Sequence, residues 1–193
     1  MHRSGAPNRV RIIGGRYRRT PIPVADRAQL RPTPDRVRET LFNWLAPRIH
    51  DPESIRGLDL FAGTGALGFE LASRGARRVV LVERDALLVK RLLALRDRLG
   101  ASEVEVIRGD AIEVARRLEP AAFDLIFVDP PYRQSLLQPA LAAARDLLAP
   151  AGAIYAEAEE ALEDGAVAAL GLQIVRAGRA GRVHFHLLAP QQS

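Results

Sequence analysis

The chain has 193 residues with 28 basic and 23 acidic side chains, a formal charge of +5 and 48% hydrophobic residues. This suits one globular domain with a short appendage, able to bury about 70% of its unfolded surface, and excludes a wholly disordered chain. The lack of cysteine excludes disulfides, thiolate metal sites and cysteine nucleophiles, and no apolar run or N-terminal hydrophobic core suggests membrane spanning or export, so a cytoplasmic address is expected.

Residues 1–56 carry twelve Arg against five acids, a charge of +7, whereas the remainder carries −2. Such asymmetry points to a polyanionic partner, because phosphate contacts supply most non-specific nucleic-acid affinity. Arg16, Arg18 and Arg19 are the candidate phosphate contacts; the competing reading is a solvated arm in an Arg-rich chain whose only lysine is Lys90. Gly14-Gly15, Pro21, Pro23, Pro32 and Pro34 make much of this segment extended or turning. Asp35 reads as the N-cap of a helix running to about Leu45, ahead of Pro47, with Trp44 as a core residue. Residues 1–56 thus form a basic extension with one helix, and residues 57–193 the main domain.

From Gly57 the pattern alternates. Strands are expected at Gly57–Ala62, Val79–Val82, Val104–Ile107, Phe123–Val128 and around Ala153–Tyr155. Helices are expected after the Gly-rich turn to about Arg74, then at Asp85–Leu99, Ala111–Leu118 and Leu136–Leu148. Leu172–Val175 and Val183–Leu188 flank a turn from Gly178 to Gly181 and read as an antiparallel hairpin. The expected fold is α/β, a doubly wound, mostly parallel sheet with helices on both faces and this hairpin at one end.

Gly63-Thr64-Gly65-Ala66-Leu67-Gly68 fits G-x-G-x-x-G between a strand and a helix, where glycines let backbone approach a ligand at a helix N-terminus. Glu83 follows at the end of the next strand, placed to accept hydrogen bonds from both ribose hydroxyls. Asp59, just before the turn, disfavours a pyrophosphate and suits the sulfonium and ammonium groups of S-adenosylmethionine, which is therefore preferred over a dinucleotide. Asp110 can meet an adenine amine or cap the helix that opens at Ala111. Phe61, Ala62, Thr64 and Ala111 complete this set of candidate cofactor contacts.

Asp129-Pro130-Pro131-Tyr132 follows an apolar strand at its carboxyl end, where open α/β sheets bind ligands. Two prolines stiffen the loop, so the Asp129 carboxylate and the Pro130 carbonyl can accept both protons of an exocyclic base amine and aim its lone pair at an electrophilic methyl group. Tyr132 offers a face on which the base stacks. His184 and His186 alternate on a strand with no third ligand nearby, so no metal is expected.

The order DLFAGTGALG, VER, GDA and DPPY resembles class I S-adenosylmethionine-dependent methyltransferases that act on base amines, which have a seven-stranded Rossmann-like sheet. More narrowly, Ile13-Gly14-Gly15-Arg16, Arg31-Pro32-Thr33 and the run from Asp35 to Leu45 resemble the RsmD family. The resemblance covers about residues 9–160. It implies a catalytic Asp129, Pro130 and Tyr132, with Arg31 and Thr33 bordering the cofactor and substrate pocket. It also implies an enzyme methylating the N2 amine of a guanine, position 966 in the usual numbering, of 16S ribosomal RNA. A monomer is expected, and a short enzyme with a small basic arm is expected to act on a small-subunit assembly particle, whose ribosomal proteins shape its target. The alternatives are an adenine-N6 methyltransferase on DNA, a non-catalytic RNA-binding assembly protein and, last, a nicotinamide oxidoreductase.

Overall fold

The computed structural model describes residues 10–24, 33–131 and 135–191. Two short strands, β1 (Val10–Arg11) and β2 (Pro21–Ile22), form an antiparallel pair of their own. Helix α1 (Asp35–Leu45) follows, and then the chain enters the main sheet. There β3 (Arg56–Asp59), α2 (Ala66–Ser73), β4 (Arg78–Glu83), α3 (Ala86–Leu99), β5 (Val104–Arg108), α4 (Ala111–Ala115) and β6 (Phe123–Val128) alternate. They continue into α5 (Leu137–Leu147), β7 (Leu148–Ala158), α6 (Asp164–Ala168), β8 (Leu172–Ala180) and β9 (Val183–Pro190). The seven strands lie in the order β5-β4-β3-β6-β7-β9-β8. The first five are parallel, and β9 runs antiparallel to both its neighbours.

The central strands are apolar on both faces, as a sheet covered on both sides requires. Val79, Leu81, Leu125, Phe127 and Tyr155 pack with α1, α2 and α3 on one face. Leu58, Val80, Val82, Ile126, Val128 and Ile154 pack with α4 and α5 on the other. Trp44 lies tilted on Phe185, ring centroids 5.3 Å apart, in the first of these layers.

Local details depart from the expectations. Asp35 is the first residue of α1 and not its cap; Pro34 holds the cap position, and the Asp35 carboxylate pairs with Arg38 (2.6 Å) and Arg11 (3.4 Å). The β3 ladder ends at Asp59, short of Ala62, although Leu60 and Ala62 still donate to Phe127 and Val82 on opposite sides as the chain leaves the sheet. Helix α4 stops at Ala115, where Arg117 and Leu118 switch to tighter bonds with Val114 and Ala115. Strand β8 runs on to Ala180, so the hairpin turns at Gly181-Arg182 and not across Gly178. The β1–β2 pair and α6 have no counterpart in the sequence pattern.

The N-terminal segment is tied to α2 by a buried carboxylate. Glu70 accepts the N–H groups of Ile13 (2.6 Å) and Gly14 (2.9 Å) and the Arg74 Nε (2.8 Å). Buried Arg38 lies 3.8 Å from the same carboxylate and donates to the Arg11 carbonyl at 2.8 Å. Ser73 Oγ accepts from Tyr17 N–H and donates to the Gly14 carbonyl. Gly15 adopts φ +73°, and a Cβ there would sit 1.8 Å from the Ser73 carbonyl oxygen, so only glycine fits.

Candidate active site

The carboxyl ends of β3, β4, β6 and β7 gather most of the residues singled out in the sequence. Gly65 (φ +79°) is the left-handed N-cap of α2, and a Cβ there would meet Leu92 and Phe69 at 2.6–2.8 Å. This residue must therefore be small, and no side chain caps the helix end. The Glu83 carboxylate braces the turn: Oε2 accepts from Gly63 N–H at 2.9 Å and Oε1 from Asp85 N–H at 2.8 Å. Asp110 Oδ1 caps α4 by accepting from Ile112 (3.0 Å) and Glu113 (3.2 Å), with the side chain on the surface. Ala62, Thr64 and Ala111 are buried, and Phe61 packs partly against the α4–α5 layer.

Asp59 is buried beneath the glycine turn and accepts hydrogen bonds from the backbone N–H groups of Gly68 and Phe61. Its register partner on β6 is Phe127, and that of Phe127 on β7 is Tyr155, so the three form one row across the sheet. Asp129 and Glu157 form the next row, just past the last β6–β7 pair, Val128 and Ala156. Tyr155 stands under them, its ring edge-on to Phe127 at 6.3 Å. Pro130 is buried beside Asp129.

Glu157 joins the site from outside the sequence motifs. Its Oε1 accepts from the hydroxyls of Thr33 (2.7 Å) and Tyr155 (2.9 Å), and the side chain is only 4% exposed. Its one signal in the sequence is that it is the acid closing the apolar run Ile154-Tyr155-Ala156 at the carboxyl edge, ahead of Glu159 and Glu160. Thr33 thereby comes to this edge from the N-terminal segment, although a span of 124 residues separates it from Glu157. Arg31 and Tyr132 lie outside the described residues.

Three acids crowd this corner, Asp59 and Glu157 buried and Asp129 half-buried, and desolvation raises all of them. Asp59 is pushed up to about 7, chiefly by desolvation, with Glu83 and Glu157 adding repulsion. Desolvation and then the nearby charges of Glu157 and Asp59 raise Asp129 well above the usual carboxylate range. Glu157 is raised by burial, an effect opposed by its two hydroxyl donors. No described cation offsets these shifts. A surplus of buried negative potential suits a cationic ligand and a base edge rich in N–H donors. The glycine turn and Asp59 beneath it therefore fit S-adenosylmethionine, whose sulfur and amine are both positive, and Asp129 and Glu157 face the place of the base.

The arginines of the N-terminal segment stand elsewhere. Arg16 pairs with Glu103, the residue just before β5, and lies 4.6 Å over the Tyr17 ring. That places it at the amino ends of the strands, a strand length of roughly 15–20 Å from the row of acids. Arg18 and Arg19 are exposed in the same turn, Arg19 with φ 69°. His186 is buried and accepts from Leu162 N–H at 3.2 Å, and among the described residues no His, Cys, Asp and Glu cluster could hold a metal. Among the described residues, no helix is long and apolar enough to cross a membrane.

Residues 10–189 match the family model described as conserved hypothetical protein 95. The chain is 43% identical over 153 residues to ribosomal RNA small subunit methyltransferase D of Escherichia coli strain K12, covering 78% of this chain and 75% of that one. It is 39% identical over 160 residues to the protein of the same name from Haemophilus influenzae, covering 80% and 81%. Among solved structures, the yhhF protein of Escherichia coli superposes with a TM-score of 0.83 at 38% identity, covering 96% of this chain and 99% of that one. A Haemophilus influenzae protein gives a TM-score of 0.77 at 31% identity, covering 95% and 99%.

Proposed function

The chain belongs to the RsmD family of methyltransferases, and from that premise we propose that it transfers a methyl group from S-adenosylmethionine to the N2 amine of a guanine in 16S ribosomal RNA. The observation that carries this reading is the placement of Asp129 and Pro130 at the carboxyl end of β6, beside the glycine turn and within a corner of buried acids. When bound, the cofactor supplies a methyl group made electrophilic by a positively charged sulfur. Gly63, Gly65 and the Glu83 brace shape the turn that receives it, with Asp110, Ala111, Phe61, Ala62 and Thr64 around the adenosine end and Asp59 supplying negative potential. Arg31 and Thr33 border the pocket from the N-terminal segment.

Asp129 and the Pro130 carbonyl accept the two amine protons, which draws the nitrogen lone pair out of conjugation and orients it for in-line attack. Tyr132 stacks on the base. The extra proton on nitrogen leaves after transfer, so the site requires no strong general base. Arg18 and Arg19, with Arg16 held by Glu103, contact RNA phosphates far from the reacting amine, which suits a substrate that spans the whole sheet. The enzyme acts as a cytoplasmic monomer on small-subunit assembly particles, with residues 1–56 as an RNA-facing extension of the catalytic domain 57–193.

The experiment is transfer of labelled methyl from S-adenosylmethionine to unmodified small subunits and, in parallel, to protein-free ribosomal RNA, followed by nucleoside analysis. N2-methylguanosine in the particle is expected. N6-methyladenosine, or no incorporation by a chain that binds the cofactor, overturns the reading.

A further inference from the structure

Glu157 has no part in the amine chemistry derived above, yet it is buried next to Asp129 on the adjoining strand, where an ionisable group is costly. Its Oε1 is held by two hydroxyls, and Oε2 makes no hydrogen bond among the described residues. The carboxylate is therefore fixed in orientation with one acceptor oxygen to spare.

Resting on the guanine reading, we infer that Glu157 is the residue that selects guanine, its free oxygen accepting the N1–H while Asp129 accepts from the N2 amine alongside. The Watson–Crick edge of guanine offers N1–H and the N2 amine as adjacent donors, so two carboxylates side by side match it. Adenine presents an acceptor at N1 beside its N6 amine, and a carboxylate facing that nitrogen repels it. The N-terminal segment serves this selection through Thr33, whose hydroxyl sets the Glu157 rotamer. Tyr155 sets it from below. Asp129 thus activates an amine, and Glu157 decides whose amine it is.

The test uses small subunits reconstituted with either guanosine or 2-aminopurine riboside at the target position; the analogue keeps the 2-amine but has an acceptor at N1. Wild-type enzyme should yield N2-methylguanosine and prefer guanosine in kcat/KM by about 100-fold. Glu157→Gln, which supplies an N–H in place of a carboxylate oxygen, should lose most of its rate on guanosine and bring the ratio to about one. Its S-adenosylmethionine affinity should stay within about threefold, which also reports that it folds. Glu157→Asp keeps the charge and should slow transfer with the preference intact. Thr33→Val, which releases one of the two hydroxyls that hold Glu157, should slow guanosine more than the analogue and lower the ratio severalfold without bringing it to one.

An equal loss on both substrates in Glu157→Gln overturns the inference and makes Glu157 a brace for the N-terminal segment only. Absence of wild-type discrimination overturns it too, while the guanine reading stands. A wild-type product other than N2-methylguanosine removes the reading and the inference together.

Discussion

Glu70 and Glu157 are both buried on the α1–α2 side of the sheet, at 0% and 4% exposure, and their surroundings differ in kind. Glu70 is saturated: two backbone N–H groups and Arg74 donate to it, and Arg38 lies close by. Glu157 receives two neutral hydroxyls, and its near neighbours Asp129 and Asp59 are acids. A buried charge whose partners come from its own chain serves to hold that chain together. A buried charge short of partners is held at a cost by its surroundings, and it gains its missing partners from a ligand. The clamp at Glu70 and the corner at Asp129 thus use the same chemistry to opposite ends.

The largest effect is expected at the functional end of this contrast. Asp129→Ala should abolish methyl transfer, a fall of at least about 1000-fold. Cofactor affinity, followed by calorimetry, should stay within a few-fold. A comparable loss of cofactor binding would instead assign Asp129 to the cofactor.

At the structural end, Glu70→Ala strips the acceptor from the Ile13 and Gly14 N–H groups and from Arg74, leaves buried Arg38 with the Asp35 carboxylate alone, and should cost about 3–5 kcal/mol in denaturant unfolding. Glu157→Gln removes a charge that burial disfavours and should cost less than about 1 kcal/mol at pH 8. Equal losses would erase the distinction between the two glutamates.

Asp59 sharpens the distinction through pH. Its carboxyl is raised from 3.8 to about 7, so the folded chain favours the protonated form. That contribution is complete below about pH 4, the unfolded value, and is lost as pH rises through 7. Asp59→Asn should therefore gain stability relative to wild type between pH 5 and 8, by on the order of 2 kcal/mol, in thermal melts of the cofactor-free protein. A constant difference across that range would place the charge in a solvated site.

The smallest effect belongs to the basic turn. Arg16→Ala breaks a half-exposed ion pair and should change stability by less than about 1 kcal/mol. Replacing Arg18 and Arg19 together should leave stability alone and reduce the salt dependence of RNA binding by about one unit of slope for each phosphate no longer neutralised. An unchanged slope would make this turn a solvated face.

Local pattern is enough for much of the molecule. Alternation between β-branched runs and helical leucine spacing makes the five parallel strands and the C-terminal hairpin legible, with β6 spanning Phe123–Val128 as the apolar run predicts. The glycine turn, Glu83 and Asp129 are legible for the same reason: each belongs to a short contiguous motif at a strand end. Asp35 misleads because an acid before a helix resembles a cap. It is Arg38, buried 3 residues later, that draws its carboxylate inward. The two-residue strands β1 and β2 are too short to show any period.

Folding decides the rest, because burial and partnership depend on residues far apart in the chain. Gly14-Gly15 reads as a loop until Ser73 and Glu70 pack against it, and Arg16 reads as a free cation until Glu103 meets it. Glu157 is an ordinary acid in the sequence. Parallel pairing sets it beside Asp129, and Thr33 reaches it across 124 residues. Motifs show which groups are available for chemistry, but only the sheet brings them into one desolvated corner, where the strength of a charge depends on its neighbours.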